Sequence, residues 1–359
     1  MATAIEGNNK VNKQNIGGGM HPGYSMTKNK PNEDRMTVLS SPGITQISDS
    51  AQSGITQISD SAQSGITKIS DSAESGITKI SDSAESGITI LCIFDGHGGE
   101  QVSNYVNINM PPKILAEVIK LAPKYEPEKI ASILTNEFLS INKDISDMHT
   151  GSTGTVCVVT PLYIVTANIG DSPAILFTKE GDLIETTTDH DCKNTDEVTR
   201  IIKAGNSIIY LGGTMRLKTG LAVTRSFGDR IQPGVIATPQ IYIWEINMDI
   251  VYNKSLILAV FSDSFAEELK EIPRRHIGPY LTRNDMIMEL NASINSSKNM
   301  KTAARNAVRK RVNKLKINGY YQGDNTSLLL MEIKPTLTDA NLFYDRKFKK
   351  IRKSYASII

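Results

Sequence analysis

The chain has 359 residues, of which 39% are hydrophobic and 22% are charged, so it is long enough and apolar enough to bury a sizeable core. Its 40 basic and 38 acidic residues leave a formal net charge of +2, which gives no reason to expect the chain as a whole to bind nucleic acid. No apolar run has the length of a signal peptide or a transmembrane segment, and the three cysteines form no Cys-x-x-Cys pair, so we expect an intracellular protein, with the cytoplasm favoured.

The first 22 residues are rich in glycine and asparagine, which predicts a flexible N-terminal tail. An 11-residue repeat follows within residues 41–87, with Gly-Ile-Thr at positions 43, 54, 65, 76 and 87. Its apolar residues recur at the spacing of a helical seam, whereas its Gly, Thr, Asp and Ser are poor helix formers. A solvated or weakly helical insert and a packed helix therefore both stay open. The repeat carries no catalytic group, and we interpret it as a spacer or an interaction arm.

Beyond the repeat, strands and helices alternate with short turns. Apolar runs of strand length lie at 88–94, 153–160, 162–168, 173–178, 256–261 and 326–333, and helical spacing covers 112–147 and 284–316. The connections between 153 and 186 are too short for parallel crossovers, which predicts an antiparallel meander. Tight hairpins together with long helices elsewhere in the sequence predict an α+β fold.

Acidic residues stand where several of these strands begin or end. Asp95, Asp171 and Asp263 each follow a strand, whereas Glu33 with Asp34, and Asp324, each precede one. Because a strand end places the next side chain at the rim of a sheet, these acids are able to converge on one pocket. Gathered carboxylates repel one another unless cations neutralise them, and oxygen ligands favour Mg²⁺ or Mn²⁺. A single Asp beside Gly or Ser is usually a turn residue, so only the joint pattern predicts a metal site.

Seven motifs occur in the order found in one enzyme family: FDGHGG (94–99), GSTG (151–154), ANIGDSPAIL (167–176), DH (189–190), RLKTGLAVTRSFGD (216–229), FSD (261–263) and GDN (323–325). With them the sequence resembles the metal-dependent protein serine/threonine phosphatases of type 2C over residues 23–334, the repeat insert excepted. A basic C-terminal tail, 335–359, lies outside the resemblance. The resemblance implies a central sandwich of two antiparallel β-sheets flanked by helices, in four layers α-β-β-α, with metals in a cleft at one end.

The resemblance also implies an activity, which is the hydrolysis of phosphoserine and phosphothreonine on proteins by a water that two Mg²⁺ or Mn²⁺ ions activate. Phosphorylated proteins would then be its partners. It assigns the metal ligands residue by residue. Asp95 would bridge both ions and the carbonyl of Gly96 would bind one of them. Asp263 and Asp324 would hold the first ion, Glu33 would serve the second through its waters, and Asp34 would support this set.

Two further roles follow from the resemblance. His97 would act as the general acid toward the leaving alkoxide, so that His97 and Asp95 would be the catalytic residues. Asp171 would belong to a weaker third metal position. An imidazole suits the first role because it exchanges a proton near neutral pH.

The sequence departs from the family's pattern in three places. Asn29 stands where the family carries an arginine that grips the substrate phosphate, which makes Lys28 and Lys30 the candidates for that contact. Ser264 replaces a glycine, which is costly if the turn needs a positive φ, and Glu267 replaces an aspartate. Because the first two ions keep all their ligands, we favour an active enzyme.

Two other classes of function are weighed against this one. A catalytically weak pseudophosphatase would serve as a phosphoprotein-binding scaffold, and the features that favour it are Asn29, Ser264 and the repeat insert. A metal-dependent nuclease would need a basic groove, which the charge balance does not suggest. The basic cluster at 346–353 is a solvated charge run, a contact for an anionic surface, or a nuclear address.

Overall fold

The computed structural model of the chain describes residues 3–8, 15–21, 32–41, 44–48, 66–68, 87–122, 124–146, 149–211, 214–246, 254–266, 282–317 and 325–333. Across these residues, no helix combines the length and the hydropathy that crossing a membrane requires. Several features of the sequence analysis lie outside this part of the chain. They are the predicted phosphate contacts Lys28 and Lys30, the departures Asn29 and Glu267, the predicted ligand Asp324 and the basic tail.

The secondary structure in these residues is mixed. The strands are β1 (Thr3–Asn8), β2 (Asn15–His21), β3 (Arg35–Ser40), β4 (Ile44–Ser48), β5 (Ile66–Lys68), β6 (Thr89–Phe94), β7 (Gly96–His97), β8 (Gly151–Ser152), β9 (Gly154–Val159), β10 (Tyr163–Ile169), β11 (Ala174–Thr178), β12 (Leu183–Thr186), β13 (Ile208–Leu211), β14 (Thr214–Leu217), β15 (Phe227–Gly228), β16 (Gln240–Glu245), β17 (Leu256–Phe261) and β18 (Thr326–Ile333). The helices are α1 (Gln101–Ile119), α2 (Pro127–Asp144), α3 (Thr195–Lys203), α4 (Asp263–Ala266), α5 (Arg283–Asn295) and α6 (Met300–Ile317).

Two large sheets form the centre of the fold. The first has the strand order β1-β2-β18-β17-β11-β12, and the second has the order β16-β10-β9-β6-β3-β4-β5. All strand pairs in both are antiparallel except β4 with β5. A hairpin of β13 and β14 and a small sheet of β15, β8 and β7 complete the strands described here.

Three apolar layers hold the sandwich together. Side chains such as Leu91 on β6 and Leu258 on β17 fill the space between the two sheets. The outer face of the second sheet packs against α1 and α2, and the outer face of the first sheet packs against α5 and α6. Strands that are buried on both faces explain the near-continuous apolar runs of the sequence. The α+β fold with a central antiparallel sandwich and flanking helices is therefore confirmed.

The predicted strands and helices are found, but one connection is different. The strands β9 and β10 form the expected antiparallel pair, whereas β11 pairs with β12 and β17 in the opposite sheet. The meander prediction is wrong at this point. The short link after β10 begins at Gly170, whose φ of 88° is open to glycine, and it crosses between the sheets instead of closing a hairpin. A short loop is compatible both with a hairpin in one sheet and with a crossing to the other sheet, so loop length alone does not predict which one forms.

Within the predicted N-terminal tail, the described residues 3–8 and 15–21 form strands. The strand β2 pairs antiparallel with β18, and β1 pairs with β2, so this segment extends the first sheet. Glycines at 17, 18 and 19 supply no side chains to a hydrophobic pattern, which is why the sequence did not read as a strand. The exposed backbone groups along the edge of β18 give such a strand its hydrogen bonds.

The repeat insert leaves and re-enters the domain at neighbouring strands. The backbone of Ser41, after β3, donates to the carbonyl of Ile88, before β6, at 3.1 Å, and β3 and β6 are an antiparallel pair. The insert therefore replaces a hairpin loop, a position where the closure entropy grows only slowly with length. Its described parts are the strands β4 and β5 and not helix, while the other repeats lie outside the described residues.

Candidate active site

One end of the second sheet carries the first group of predicted site residues. Glu33 and Asp34 come directly before β3, and Asp95 comes directly after β6. Because Arg35 pairs with Phe94 across these antiparallel strands, the start of one strand lies beside the end of the other. All three acids are buried. The register thus brings together residues that are about sixty positions apart in the sequence.

The first sheet repeats this arrangement at its own end. Asp263 follows β17, and Asn325 stands directly before β18, which is the antiparallel neighbour of β17. The amide of Ser262 donates to the carbonyl of Ser327 at 3.1 Å, and the hydroxyl of Ser264 donates to the carbonyl of Asn325. Asp324 precedes Asn325 in the sequence and is therefore attached to this same strand start, although its own position is not described.

Two hydrogen bonds join these ends across the sandwich. The amide of Glu33 donates to Oδ1 of Asn325 at 2.8 Å, and the hydroxyl of Ser327 donates to Oδ2 of Asp34 at 2.6 Å. All of these groups are buried. The predicted site residues at the strand ends therefore lie at one end of the sandwich, and they are Glu33, Asp34, Asp95, Gly96 and Asp263.

Gly96 is pressed against the backbone of this cluster. A Cβ at position 96 would lie 2.7 Å from the carbonyl oxygen of Glu33 and 2.7 Å from Oγ of Ser103. The hydroxyl of Ser103 itself donates to the carbonyl of Glu33 at 2.5 Å. Any larger residue would push the chain after Asp95 away from the chain at Glu33, so the close approach of these two segments requires glycine.

The donor set at this end fits a hard divalent cation. It consists of carboxylate oxygens and main-chain carbonyls, which Mg²⁺ and Mn²⁺ prefer over the nitrogen and sulfur ligands typical of zinc. Within the described residues, no three His, Cys, Asp or Glu side chains are arranged as a metal-holding group. Since Asp324 is outside these residues, the predicted ligand set is only partly represented in the structure.

His97 lies beside a residue that the sequence analysis did not single out. Its Nε2 is 2.6 Å from Oδ2 of Asp229, which also accepts a 2.5 Å hydrogen bond from the hydroxyl of Ser226. Asp229 is the last residue of the motif 216–229. Its place in a motif of the resemblance was the sequence feature that pointed to it as a site residue. Only the pairing of β7 and β15 with the same strand, β8, brings the two residues together.

A cavity of about 620 Å³ opens next to this cluster. Its lining includes four aspartates and two basic side chains, which are Asp171, Asp189, Asp191, Asp263, Lys193 and Arg283. Arg283 pairs with Asp189 at 2.7 Å, and Lys193 lies 3.6 Å from Asp191. The predicted third-metal residue Asp171 and the predicted ligand Asp263 thus share one cavity, which places the two sequence predictions in the same region.

Asp171 has an unfavourable electrostatic environment. Burial and the negative charges of Asp189 and Asp191 raise the pKa of its carboxyl to about 7. The nearby His97 acts in the opposite direction but does not offset them. A carboxylate in such surroundings is partly protonated at neutral pH unless a cation compensates its charge. The physical chemistry of this cavity therefore favours a cation.

Ser264, one of the departures from the family pattern, causes no backbone strain. Among the described residues, the non-glycine residues with positive φ are Tyr125 and Asp229, so Ser264 is not one of them. It lies in the short helix α4, is buried, and its hydroxyl bonds to the carbonyl of Asn325 and to Oγ1 of Thr326 at 3.2 Å. The serine therefore ties the end of β17 to the start of β18.

A second polar cluster is fully compensated. The Glu197 carboxylate on α3 accepts hydrogen bonds from Arg200 at 2.5 Å, from Arg225 at 2.6 Å and from Oγ1 of Thr224 at 2.9 Å. Burial alone would raise the pKa of Glu197, but the arginine hydrogen bonds outweigh it and lower the pKa to about 2. The neighbouring His190 is buried, and burial together with the charge of Arg225 lowers its pKa to about 4. This cluster fixes the segment that leads to Asp229.

The three cysteines take no part in the site. All are free and buried. Burial raises the pKa of Cys157 to about 12 and that of Cys192 to about 11, so both are unreactive thiols at neutral pH.

Comparisons with known proteins agree with the fold and the motifs. Residues 57–260 match the family model described as Protein phosphatase 2C. Protein phosphatase 2C 77 of Arabidopsis thaliana is 36% identical over 160 residues, which are 42% of this chain and 37% of that protein. Protein phosphatase 1L of Bos taurus is 31% identical over 194 residues, or 50% of this chain and 52% of that protein. The chain thus spans about half or less of the length of these relatives.

Solved structures show the same fold. A phosphatase from a pathogenic strain of Toxoplasma gondii has a TM-score of 0.58 at 16% identity, covering 92% of this chain and 95% of that one. A serine-threonine phosphatase 2C from Toxoplasma gondii has a TM-score of 0.59 at 13% identity, covering 93% of this chain and 100% of that one. At these identities the likeness concerns the fold alone.

Proposed function

The chain belongs to the protein phosphatase 2C family, and we propose that it hydrolyses phosphoserine and phosphothreonine on proteins with a water that two Mg²⁺ or Mn²⁺ ions activate. The observation that carries this proposal is the pair of hydrogen bonds that joins Glu33 and Asp34 to the start of β18. These bonds hold the acidic ends of two strand pairs, one from each sheet, at the same end of the sandwich.

In the proposed mechanism each residue has a definite task. Asp95, Asp263 and Asp324, with the carbonyl of Gly96, would hold the ions, while Glu33 would contact them through water and Asp34 would support the set. Such ions, when bound, supply an activated water and neutralise the charge that develops on the phosphoryl group. Asp171 would contribute to a weaker third position, because its raised pKa is relieved by a cation.

The leaving group needs a proton, and His97 is the residue proposed to supply it. A serine or threonine alkoxide is a poor leaving group, so protonation of its oxygen as the bond to phosphorus breaks lowers the barrier. His97 lies two residues after Asp95 and is only part-buried, which leaves it accessible to a phosphoprotein substrate. Lys28 and Lys30 remain the proposed contacts for the substrate phosphate.

The test is hydrolysis of a phosphothreonine peptide by the full chain with Mn²⁺ and with EDTA, using Asp95→Asn and Asp263→Asn. We expect each substitution to lower kcat/KM by about 10³-fold or more, because it removes several kcal/mol of charge stabilisation. Asp182→Asn is the matched control, since it makes the same change at an exposed residue. Metal-independent turnover, or activity that survives both substitutions, would contradict the proposal.

The alternative function is a phosphoprotein-binding scaffold with weak catalysis. Ser264 does not favour the scaffold, because the serine is accommodated without a positive φ. Of the other features that favour it, Asn29 lies outside the described residues. A folded wild-type chain that binds Mn²⁺ but does not turn over the peptide would favour the scaffold.

The remaining assignments extend the proposal to the whole chain. We propose that residues 23–334 form the phosphatase unit, that the insert at 41–87 is an interaction arm, and that the tail at 335–359 contacts an anionic surface. The strands β1 and β2 show that the first sheet also takes in part of residues 1–22. The intracellular location stays a prediction, and the proposal covers either Mg²⁺ or Mn²⁺.

A further inference from the structure

The side chains of His97 and Asp229 are in direct contact. Nε2 of the imidazole lies 2.6 Å from Oδ2 of the carboxylate, which is the distance of a strong hydrogen bond. The Asp229 side chain is only 6% exposed, whereas that of His97 is 28% exposed. One ring edge is thus bound to a buried acid while part of the ring stays open to solvent.

Asp229 is itself held from several directions. Its Oδ2 accepts a 2.5 Å hydrogen bond from Ser226, and its amide donates to the carbonyl of Thr150 at 3.2 Å. Its φ of 47° is unusual for a residue with a side chain, and such a conformation is kept only where the surroundings determine it. The carboxylate therefore has a fixed position before any substrate arrives.

Gly151 shows how closely the pair is packed. A Cβ at this position would collide with Oδ2 of Asp229 and with Nε2 of His97 at the same time. Gly151 pairs with His97 through β7 and with Gly228 through β15, so the backbone of β8 runs between the two residues that form the bond. Neither side chain has room to move toward this strand.

The α2 helix anchors the segment that carries Asp229. Oδ1 of Asn142 accepts from the amide of Gly228 at 2.9 Å, and the guanidinium of Arg230 donates to the carbonyl of Asn142 at 2.5 Å and to that of Lys143 at 2.8 Å. The residues on both sides of Asp229 are thus attached to the same helix end. These bonds add to the contacts that hold Asp229 in place.

We propose that Asp229 is a positioning residue for His97, an inference that rests on the proposed phosphatase activity. By accepting the hydrogen on Nε2, its carboxylate would fix the orientation of the ring, and Nδ1 would be the atom that donates a proton to the leaving oxygen. A carboxylate that orients an imidazole in this way acts through the histidine and does not touch the substrate.

His97 serves the step in which the phosphoryl group passes from the substrate to water. The oxygen of a water that has lost one proton to solvent forms a bond to phosphorus, and the bond from phosphorus to the serine or threonine oxygen breaks. The electron pair of that bond stays on the leaving oxygen, which takes a proton from His97. The products are the free hydroxyl side chain and hydrogen phosphate, and the imidazole regains its proton from solvent.

This role predicts a dependence on the leaving group. A phosphothreonine peptide releases a strongly basic oxygen and needs the proton, whereas p-nitrophenyl phosphate releases a stable phenolate and does not. We expect Asp229→Asn to lower kcat on the peptide by about 10- to 100-fold and to change kcat on p-nitrophenyl phosphate by less than about threefold, with KM little affected. His97→Gln should show the same selectivity with a larger loss on the peptide.

A double-substitution cycle separates positioning from structure. If Asp229 acts only through His97, the His97→Gln/Asp229→Asn chain should be no slower on the peptide than His97→Gln alone. Ser226→Ala should give a smaller loss in the same direction, and it serves as the test if Asp229→Asn does not fold. Asp182→Asn is the surface control, and circular dichroism with thermal unfolding confirms that each chain is folded.

The outcomes distinguish this inference from the function on which it rests. Equal losses on both substrates, or losses that add in the double variant, would overturn the positioning role while leaving the phosphatase activity in place. Failure of the folded wild-type chain to turn over either substrate would overturn the proposed function, and this inference with it. A loss of kcat on the peptide alone, with no further loss when Asp229→Asn is added to His97→Gln, would support the positioning role and the phosphatase activity.

Discussion

Glu197 and Asp171 are two carboxylates with opposite environments. Glu197 receives hydrogen bonds from two arginines and a threonine, and its pKa falls to about 2 although burial opposes this. Burial and the negative charges of two neighbouring aspartates raise the pKa of Asp171 to about 7. The protein therefore places positive side chains beside Glu197 and negative ones beside Asp171.

The difference separates an acid that the protein itself neutralises from the acid that is proposed to bind a cation. A buried charge is retained either because protein groups neutralise it or because a group from outside does so. Glu197 fixes α3 to the segment 224–229 and so supports Asp229, whereas Asp171 faces a cavity that Asp263 also lines. Strong shifts of pKa occur in both places, but only the upward shift at Asp171 is of the kind that a bound cation would relieve.

Removal of the Glu197 charge should have the largest effect on stability. We expect Glu197→Gln to lower the free energy of unfolding by about 3 kcal/mol, because Arg200 and Arg225 lose the charge that neutralises them. Urea denaturation near pH 7 measures this change. A loss comparable to that of an exposed substitution would mean that the cluster does not anchor its segment.

The acid sensitivity of this cluster follows from the sign of the shift. The pKa of Glu197 is about 2 in the folded chain and 4.5 without its partners, so its stabilisation is complete above about pH 4.5 and is lost as the pH falls toward 2. The difference in unfolding free energy between the wild type and Glu197→Gln should therefore shrink across this interval. A constant difference would contradict the assigned cause.

Asp171→Asn should have a smaller effect of opposite sign in the presence of EDTA. Because the pKa is about 7 when folded and 3.8 otherwise, the folded chain holds the extra proton and loses stability as the pH rises from about 4 to 7. At pH 8 we expect the substitution to raise the free energy of unfolding by about 1–2 kcal/mol, a value discounted for solvent screening. Saturating Mn²⁺ should reverse the order, because the wild type alone keeps this ligand. Calorimetry with and without Mn²⁺ measures the difference in unfolding free energy between the two chains. If Asp171→Asn is still the more stable chain with Mn²⁺, Asp171 is not a metal ligand.

The exposed pair of Asp182 and Lys254 should have the smallest effect. The ammonium and the carboxylate are 2.6 Å apart, and hydrogen bonding to Lys254 lowers the pKa of Asp182. Solvent screens such a pair, so Lys254→Met should leave the unfolding midpoint unchanged within error. A clear loss at this position would show that pairing by itself, without burial, governs stability here.

Much of the fold was readable from the sequence because its strands are apolar on both faces. The runs that become β6, β17 and β18 were predicted at nearly their observed bounds. The sheet in which each strand lies was not, since β11 follows β10 closely yet pairs with β17. The glycine-rich β2 was missed because its pairing depends on backbone groups, which leave no pattern in the side chains.

The sequence by itself determined the acids at the strand ends, the histidine after Asp95 and the family to which their order belongs. Only the tertiary structure decided how these residues are supported. Asp229 becomes the partner of His97 because β7 and β15 both pair with β8, and Asn325 reaches Glu33 because two sheets stack with one end in common. Motifs record which groups a site needs, whereas strand register and sheet packing set which groups touch, since both depend on contacts between segments that are far apart in the chain.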